Sequence, residues 1–246
     1  MRRALIVVAV AVALNVQLVV AQAVKVAARP GSVPAGMVRI PAGSFMPLYA
    51  PPGQRTVRVE SFAIDTVPVS EAQYAAFIAK QTGKPVAKAD TRKPATNVTW
   101  LEAKAYCSAR NARLPTTYEW EYIAQADERQ HDAGLTAAFR QRAMQLAISG
   151  GSGQLLIGSG VRNVWGVRDL HGLVSEWTAD FNESAHGHNS DAHAQGRSAH
   201  TPAMTCASGT VETGDPGDYA AFLRYSLRRT WKVNSSSANL GFRCAV

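Results

Sequence analysis

The sequence has few cysteines, modest charge and no periodic glycine or proline. Only 18% of its 246 residues are charged, and its 19 glycines and 12 prolines neither recur at a fixed spacing nor dominate the composition. These features exclude a collagen-like chain, a coiled coil and a wholly disordered chain. Apolar residues make up 46% of the sequence, which is enough to bury a core, and the length suits one domain or two small ones.

Basic residues outnumber acidic residues without forming a block. There are 26 Lys and Arg residues against 18 Asp and Glu residues. The surplus is compatible with acidic partners, but no cluster of basic residues and no nucleic-acid-binding motif accompanies it. We therefore expect no nucleic-acid partner.

A single long apolar run lies at the N-terminus. Arg2 and Arg3 precede the apolar segment Ala4–Val20, and Ala21-Gln22-Ala23 forms a small-x-small cleavage signal. This pattern predicts a secretory signal peptide over residues 1–23. The alternative is an uncleaved membrane anchor, although the run is slightly shorter than the ~20 residues that span a bilayer. We expect a periplasmic or secreted protein that is free of the membrane after cleavage near Ala23.

Three cysteines remain to be assigned in the exported chain, namely Cys107, Cys206 and Cys244. An oxidising compartment makes each of them a disulfide candidate. Because the number is odd, one thiol must stay free, pair between chains, bind a metal or take part in chemistry.

The folded domain is expected over residues 37–246, with no internal repeat and no second domain. Two prolines and two glycines predict a linker over residues 24–36. Alternating apolar and polar residues predict strands over residues 37–40 and 57–64.

Three helices share one start signal. A hydroxyl residue followed three positions later by Glu or Gln forms a capping box, and the pairs are Ser70 with Gln73, Thr99 with Glu102, and Thr116 with Glu119. The first helix is expected to end near Gly83. The apolar positions of the other two predict which residues face the core: Leu101, Ala105 and either Cys107 or Ser108 in the second helix, and Trp120, Ile123 and Ala124 in the third.

The second half of the chain has weaker signals. We predict a helix over residues 136–147, a short helix after Asp218 and a closing strand over residues 240–245. Between them the sequence is rich in Trp, Gly, Asn, Ser and His without clear periodicity, which predicts loops fixed by tertiary contacts.

Four stretches together resemble the formylglycine-generating enzyme family, also called the sulfatase-modifying factor family. They are Met37–Phe45, Asn97–Tyr122, Asn163–Trp177 and Asn239–Ala245, the last containing Asn239-Leu240-Gly241-Phe242-Arg243-Cys244. The resemblance implies an α+β fold related to C-type lectins, with few regular elements and a loop-rich second half. Within it, the large aromatic residues are expected to lie in the core, and these are Trp100, Trp120, Trp177 and Phe242.

The resemblance also implies a structural disulfide between Cys107 and Cys244. Such a bridge closes a loop of 137 residues, and in the chain-entropy description a loop of that size contributes on the order of 4–5 kcal/mol.

Cys206 lies in a segment that resembles the one holding the first active-site cysteine of these enzymes. They use two nearby cysteines to hold copper(I), which activates oxygen and oxidises a cysteine of a sulfatase peptide. Here no second cysteine follows, and Ser226 stands near the expected position. A serine hydroxyl is a poor replacement for a soft thiolate, so the two-cysteine mechanism is not expected. Cys206 is then either an idle or buried thiol or a redox or soft-metal ligand.

The resemblance implies a calcium site that is degenerate in this sequence. Leu173 stands where the family commonly places an asparagine ligand. Glu176 could still coordinate calcium through its carboxylate, and the alternative is that Glu176 pairs with an arginine.

A histidine-rich segment lies between residues 180 and 200. Imidazole and carboxylate groups are ligands for zinc, copper or nickel, and the candidates are His186, His188, Asp191, His193 and His200. The alternative is a solvated polar loop.

Three functions follow from these observations. The first is a binding or accessory factor for an exported protein or peptide, with a copper-related role, because relatives that resemble residues 218–225 include periplasmic proteins associated with copper nitrite reductase and copper delivery. The second is a metal-dependent oxidoreductase that acts on an exported cysteine-containing peptide or small molecule. The third is a lectin-like or structural module.

Overall fold

Short strand pairs open the fold. The computed structural model describes residues 32–51, 53–85, 89–149, 156–181 and 218–246. Strand β1 (Met37–Ile40) pairs antiparallel with β4 (Phe62–Asp65), and β2 (Gly43–Phe45) pairs antiparallel with β3 (Val57–Val59). The single strand predicted over residues 57–64 is therefore two strands in two separate sheets.

All three capping boxes form. Helices α1 (Glu71–Thr82), α2 (Trp100–Ala109) and α3 (Thr117–Ala124) each have a hydroxyl N-cap and the reciprocal hydrogen bond from the side chain three residues later. Helix α1 ends at Gly83, whose φ of 66° is the left-handed conformation that glycine adopts readily. These local signals predicted the three helix starts correctly.

The buried face of α2 matches the prediction only at Cys107. Leu101 is 56% exposed and Ala105 is exposed, whereas Ala103, Tyr106 and Cys107 are buried. The disulfide at Cys107 fixes the orientation of the helix. The prediction for α3 is confirmed, because Trp120, Ile123 and Ala124 are all buried.

The disulfide implied by the resemblance is present between Cys107 and Cys244. It joins α2 to the end of the chain, where the Cys244 amide donates to Asp65 Oδ2 at 2.9 Å. Arg110 forms a bidentate pair with the same carboxylate. The bridge therefore lies within a network that holds α2, β4 and the C-terminal segment together.

The remaining elements among the described residues are a 3-10 helix, two α-helices and a pair of two-residue strands. A 3-10 helix (Ala133–Leu135) precedes α4 (Ala137–Ser149), and α5 (Tyr219–Thr230) follows the N-cap Asp218. Strands β5 (Ser175–Glu176) and β6 (Leu240–Gly241) pair in parallel. The predicted closing strand is thus limited to two residues, followed by isolated bridges from Ala245 to Ile64 and Arg113.

The core consists mainly of two clusters. One gathers residues of β1 to β4 around Trp120 and Ile123, and the other gathers α2 with Trp177 and Phe242. Trp120, Trp177 and Phe242 are buried as expected, while Trp100 is only partly buried. This is the α+β fold with few regular elements that the resemblance implied. In the described part of the chain, no helix combines the length and apolarity needed to cross a membrane.

Candidate functional site

Two arginines of α5 converge on one carboxylate of α3. Arg224 donates to Glu121 through Nε and Nη2, the latter at 2.6 Å, and Arg228 Nη1 donates to Glu121 Oε1 at 2.6 Å. Residues four apart lie on one face of a helix, and the Asp218 side chain caps α5 by accepting from the Ala221 amide. The ion pairs therefore dock one face of α5 onto α3.

Trp120 lies at the centre of this charged cluster. The guanidinium carbons of Arg224 and Arg228 lie 5.4 and 5.0 Å from the Trp120 ring centroid, within cation–π distance. The indole Nε1 donates to Glu176 Oε2 at 2.8 Å. Glu176 is held in turn by Arg243, which donates through Nε and Nη2, each at 2.7 Å.

The cluster shifts the protonation of two of its members. Burial alone would raise the pKa of Glu121, but the Arg224 and Arg228 guanidiniums lower it to about 2. Burial lowers the pKa of His171 to about 4, and the charge of Arg224 adds to the effect. Glu121 is therefore ionised and His171 neutral at pH 7. His171 Nε2 lies 2.8 Å from the Ala124 carbonyl oxygen, so Nε2 carries the proton and Nδ1 is an acceptor.

A cavity of about 380 Å³ lies against this cluster. Its walls come from α5, from residues 170–176 and from residues 231–239, with Trp120 contributing from α3. The volume lies within the range of small-molecule sites. Its charged and titratable lining residues are His171, Glu176, Arg224 and Arg228, and its apolar walls include Leu170, Leu173, Val174, Leu223, Leu227 and Trp231.

Residues 22–246 match the family described as the Sulfatase-modifying factor enzyme 1-like domain. The chain belongs to this family. The match includes the strands, the helices, the disulfide and the cavity described above.

Relatives in the sulfatase-modifying factor family include proteins named as enzymes and a protein named as inactive. The Mus musculus protein named Inactive C-alpha-formylglycine-generating enzyme 2 is 26% identical, and the match covers 85% of each chain. The Formylglycine-generating enzyme of Thermomonospora curvata is 27% identical, over 88% of this chain and 95% of that protein. Among solved structures, PvdO from Pseudomonas aeruginosa is 22% identical with a TM-score of 0.48, over 85% of this chain and 93% of that chain.

The sequence-predicted site residues are only partly within the described structure. Ser226 lies half-buried on α5, and it is not among the described residues that line the cavity. Cys206 and the histidine-rich segment lie outside the described residues, and these are His186, His188, Asp191, His193 and His200. In the described part of the chain, no group of three or more His, Cys, Asp or Glu side chains could hold a metal ion.

The copper centre of the formylglycine-generating enzymes does not fit this chain. That centre needs two thiolates, and the sequence has three cysteines. Because Cys107 and Cys244 are joined in the disulfide, Cys206 is the one cysteine left.

Glu176 was considered as a calcium ligand, with an ion pair to an arginine as the alternative. The structure contains the ion pair, with Arg243. Glu176 and Arg243 are both fully buried, and the Glu176 oxygens accept from Arg243 and Trp120. Leu173 offers no oxygen from its side chain. Both carboxylate oxygens of Glu176 are therefore engaged by these donors, whereas calcium prefers free oxygen ligands.

Sequence reasoning missed the charged cluster. Glu121 lies in a stretch that carried the family resemblance, and Arg224 and Arg228 lie four apart in a predicted helix. Their spacing indicated that the two arginines share a helix face. Nothing in the local pattern indicated that this face is buried against α3.

Proposed function

We propose that this chain is a binding or accessory factor of the sulfatase-modifying factor family and not an oxidase of the formylglycine-generating type. The observation that carries the proposal is the Cys107–Cys244 disulfide. It leaves Cys206 as the one cysteine of the sequence outside this bridge, whereas the family's oxidation of a substrate cysteine uses two thiolates on one copper(I) ion. The mouse relative named as inactive supports a non-catalytic role.

The cavity beside α5 supplies the binding site in this proposal. It is large enough for a small molecule or a side chain of a partner peptide, and rigid elements surround it. Ion pairs hold α5 against α3, and the backbone pairing of β5 with β6 fixes the opposite wall. A site held in this way loses little conformational entropy when it binds its ligand.

The proposal extends to two further properties, namely that the protein is exported and that it has a copper-related role. Support comes from the signal-peptide pattern of residues 1–23. It also comes from Cys206, a soft ligand, and from the imidazoles close to it in the sequence, which are borderline ligands. Titration of the mature protein with copper(I) tests this part, with the disulfide intact and the Cys206 thiol free. We expect one copper(I) ion per chain, bound at least about tenfold more weakly by Cys206→Ala than by Ser226→Ala. Equal binding of copper(I) by the two variants would show that Cys206 is not a copper ligand.

The oxidase alternative is tested with a sulfatase-derived cysteine peptide, copper(I) and oxygen. The Thermomonospora curvata relative serves as the positive control. We expect no peptide aldehyde and no oxygen uptake above background from this chain. Aldehyde formation that disappears in Cys206→Ala would overturn the proposal and establish a metal-dependent oxidoreductase.

A further inference from the structure

We propose that the cavity beside α5 binds an amphipathic organic acid, whose single carboxylate is held by Arg228. This inference rests on the proposed binding function and names the chemical class of its ligand. It depends on the charge inventory around Trp120, on the free donors of Arg228 and on the composition of the cavity walls.

The buried cluster around Trp120 has one positive charge in excess. It contains the carboxylates of Glu121 and Glu176 and the guanidiniums of Arg224, Arg228 and Arg243, which is two negative charges against three positive ones. Side-chain exposure is 19% for Arg224 and 5% or less for the others. Each of these charges takes part in an ion pair, so an additional anion needs a guanidinium that still has unused N–H donors.

Arg228 is the member with unused donors. A guanidinium has five N–H groups, and among the described residues Arg228 donates through Nη1 alone, to Glu121. Arg243 uses more of its donors by comparison, because its three nitrogens make four hydrogen bonds, to the Glu176 carboxylate and to the carbonyls of Asp65 and Arg168. Arg228 also lines the cavity, so the side chain with unused donors contributes to the wall of the space in which a ligand would lie.

Arg224 is compensated from a different side. It uses two nitrogens on Glu121, and the negative charge of Asp218 also acts on it. Asp218 and Arg224 together line a second, smaller cavity, whose described lining does not include Arg228. With the carboxylate of Asp218 included, the charges around Trp120 balance, so it is the unused N–H donors of Arg228, and not a surplus charge, that mark the anion site.

The rest of the cavity favours an apolar ligand body with one negative charge. Glu176 is neutralised by Arg243, and His171 is neutral at pH 7, so neither adds a charge to the cavity. The walls are leucine, valine and tryptophan side chains, with small polar groups from Ser175, Ser237 and Asn239. A single carboxylate can accept from the unused Arg228 donors, whereas a phosphate dianion would place two negative charges in a largely apolar cavity.

The experiment compares octanoate with 1-octanol and octylamine by isothermal titration calorimetry on the mature protein. The three probes share an eight-carbon chain and differ in charge. We expect octanoate to bind at least about tenfold more tightly than octanol, since a hydrogen bond to a charged group contributes more than 1.4 kcal/mol. Octylamine is expected to bind more weakly than either.

Two variants locate the anion. Arg228→Met removes the proposed anchor and is expected to bring octanoate affinity down to that of octanol. Arg229→Met makes the same charge change at the neighbouring exposed position and is expected to retain the wild-type preference. Leu223→Trp narrows the cavity without altering the ion cluster, and is expected to weaken octanoate and octanol alike. Circular dichroism checks that each variant is folded.

The outcomes separate this inference from the proposed function. Equal binding of octanoate and octanol by the wild type would overturn the carboxylate site while leaving a binding cavity in place. A preference for octanoate that Arg229→Met abolishes and Arg228→Met retains would overturn the role of Arg228. Octanoate binding that Leu223→Trp leaves unchanged would place the ligand outside the cavity and overturn the inference.

Discussion

Arg228 on α5 donates a 2.6 Å hydrogen bond to Glu121 on α3, and both side chains are more than nine-tenths buried. The two residues are 107 positions apart in the sequence. The contact places α5 against Trp120, so that the helix forms one wall of the cavity. Removing either partner of this ion pair would leave a buried charge without its partner.

Glu121→Gln is expected to destabilise the protein strongly. The substitution preserves shape but leaves the Arg224 and Arg228 guanidiniums without a countercharge, and breaking a buried pair in this way costs about 3–5 kcal/mol. Urea denaturation followed by circular dichroism measures the change. Glu128→Gln is the matched control, since Glu128 and Arg142 form an exposed pair, and there we expect a loss of about 0–1 kcal/mol. Similar losses in the two variants would contradict a specific role for the buried cluster.

The same carboxylate predicts an acid-sensitive step in stability. The pKa of Glu121 falls from 4.5 to about 2 on folding. A group whose pKa is lower in the folded state stabilises fully above its unfolded pKa and loses that contribution as the pH falls. The free energy of unfolding should therefore decrease between about pH 4.5 and pH 2. In Glu121→Gln this part of the pH profile should be flatter than in the wild type, and an unchanged slope would refute the assignment.

The contrast between the helix starts and the charged cluster shows what the sequence predicts. Ser70, Thr99 and Thr116 find their capping partners three residues away, so a short window contains the whole signal. Glu121 and Arg228 find each other across more than a hundred residues, and no local pattern links them. Sequence reasoning therefore located the elements that carry the site and named Glu176 with an arginine as its partner, without identifying Glu121, Arg224 or Arg228.

The core face of α2 illustrates a second limit. Leu101 is apolar yet 56% exposed, because the helix is oriented by Cys107 and by Tyr106, whose ring packs edge-on against Phe242 at 5.3 Å. Hydrophobicity within the helix alone favoured a different face. The disulfide, in contrast, followed from the family resemblance, which supplied the long-range information that periodicity lacks.

Removing the disulfide is expected to lower the stability of the protein. Cys107→Ala combined with Cys244→Ala should cost about 2–5 kcal/mol, measured as a fall in the free energy of unfolding. Cys206→Ala is the control. Reductant should lower its melting temperature by as much as it lowers that of the wild type. A melting temperature of the wild type that does not respond to reductant would contradict a stabilising bridge.

His171 gives the second pH-dependent contribution, at higher pH than Glu121. Burial, followed by the charge of Arg224, lowers its pKa from 6.5 to about 4, and its ring is enclosed by Trp120 and Phe139. The unfolded chain binds the proton first, so stability should fall as the pH decreases from about 6.5 to 4, by on the order of 3 kcal/mol.

The variant His171→Gln keeps a polar side chain at this position but has no titrating group. Its free energy of unfolding should change little between pH 6.5 and 4.5, while the wild type loses stability over the same interval. Chemical denaturation at several pH values gives both curves. His131→Gln is the control, because His131 stacks on Trp165 outside the cavity, and its profile should follow the wild type. If His171→Gln also follows the wild type, the neutral imidazole is not the group that titrates in this range.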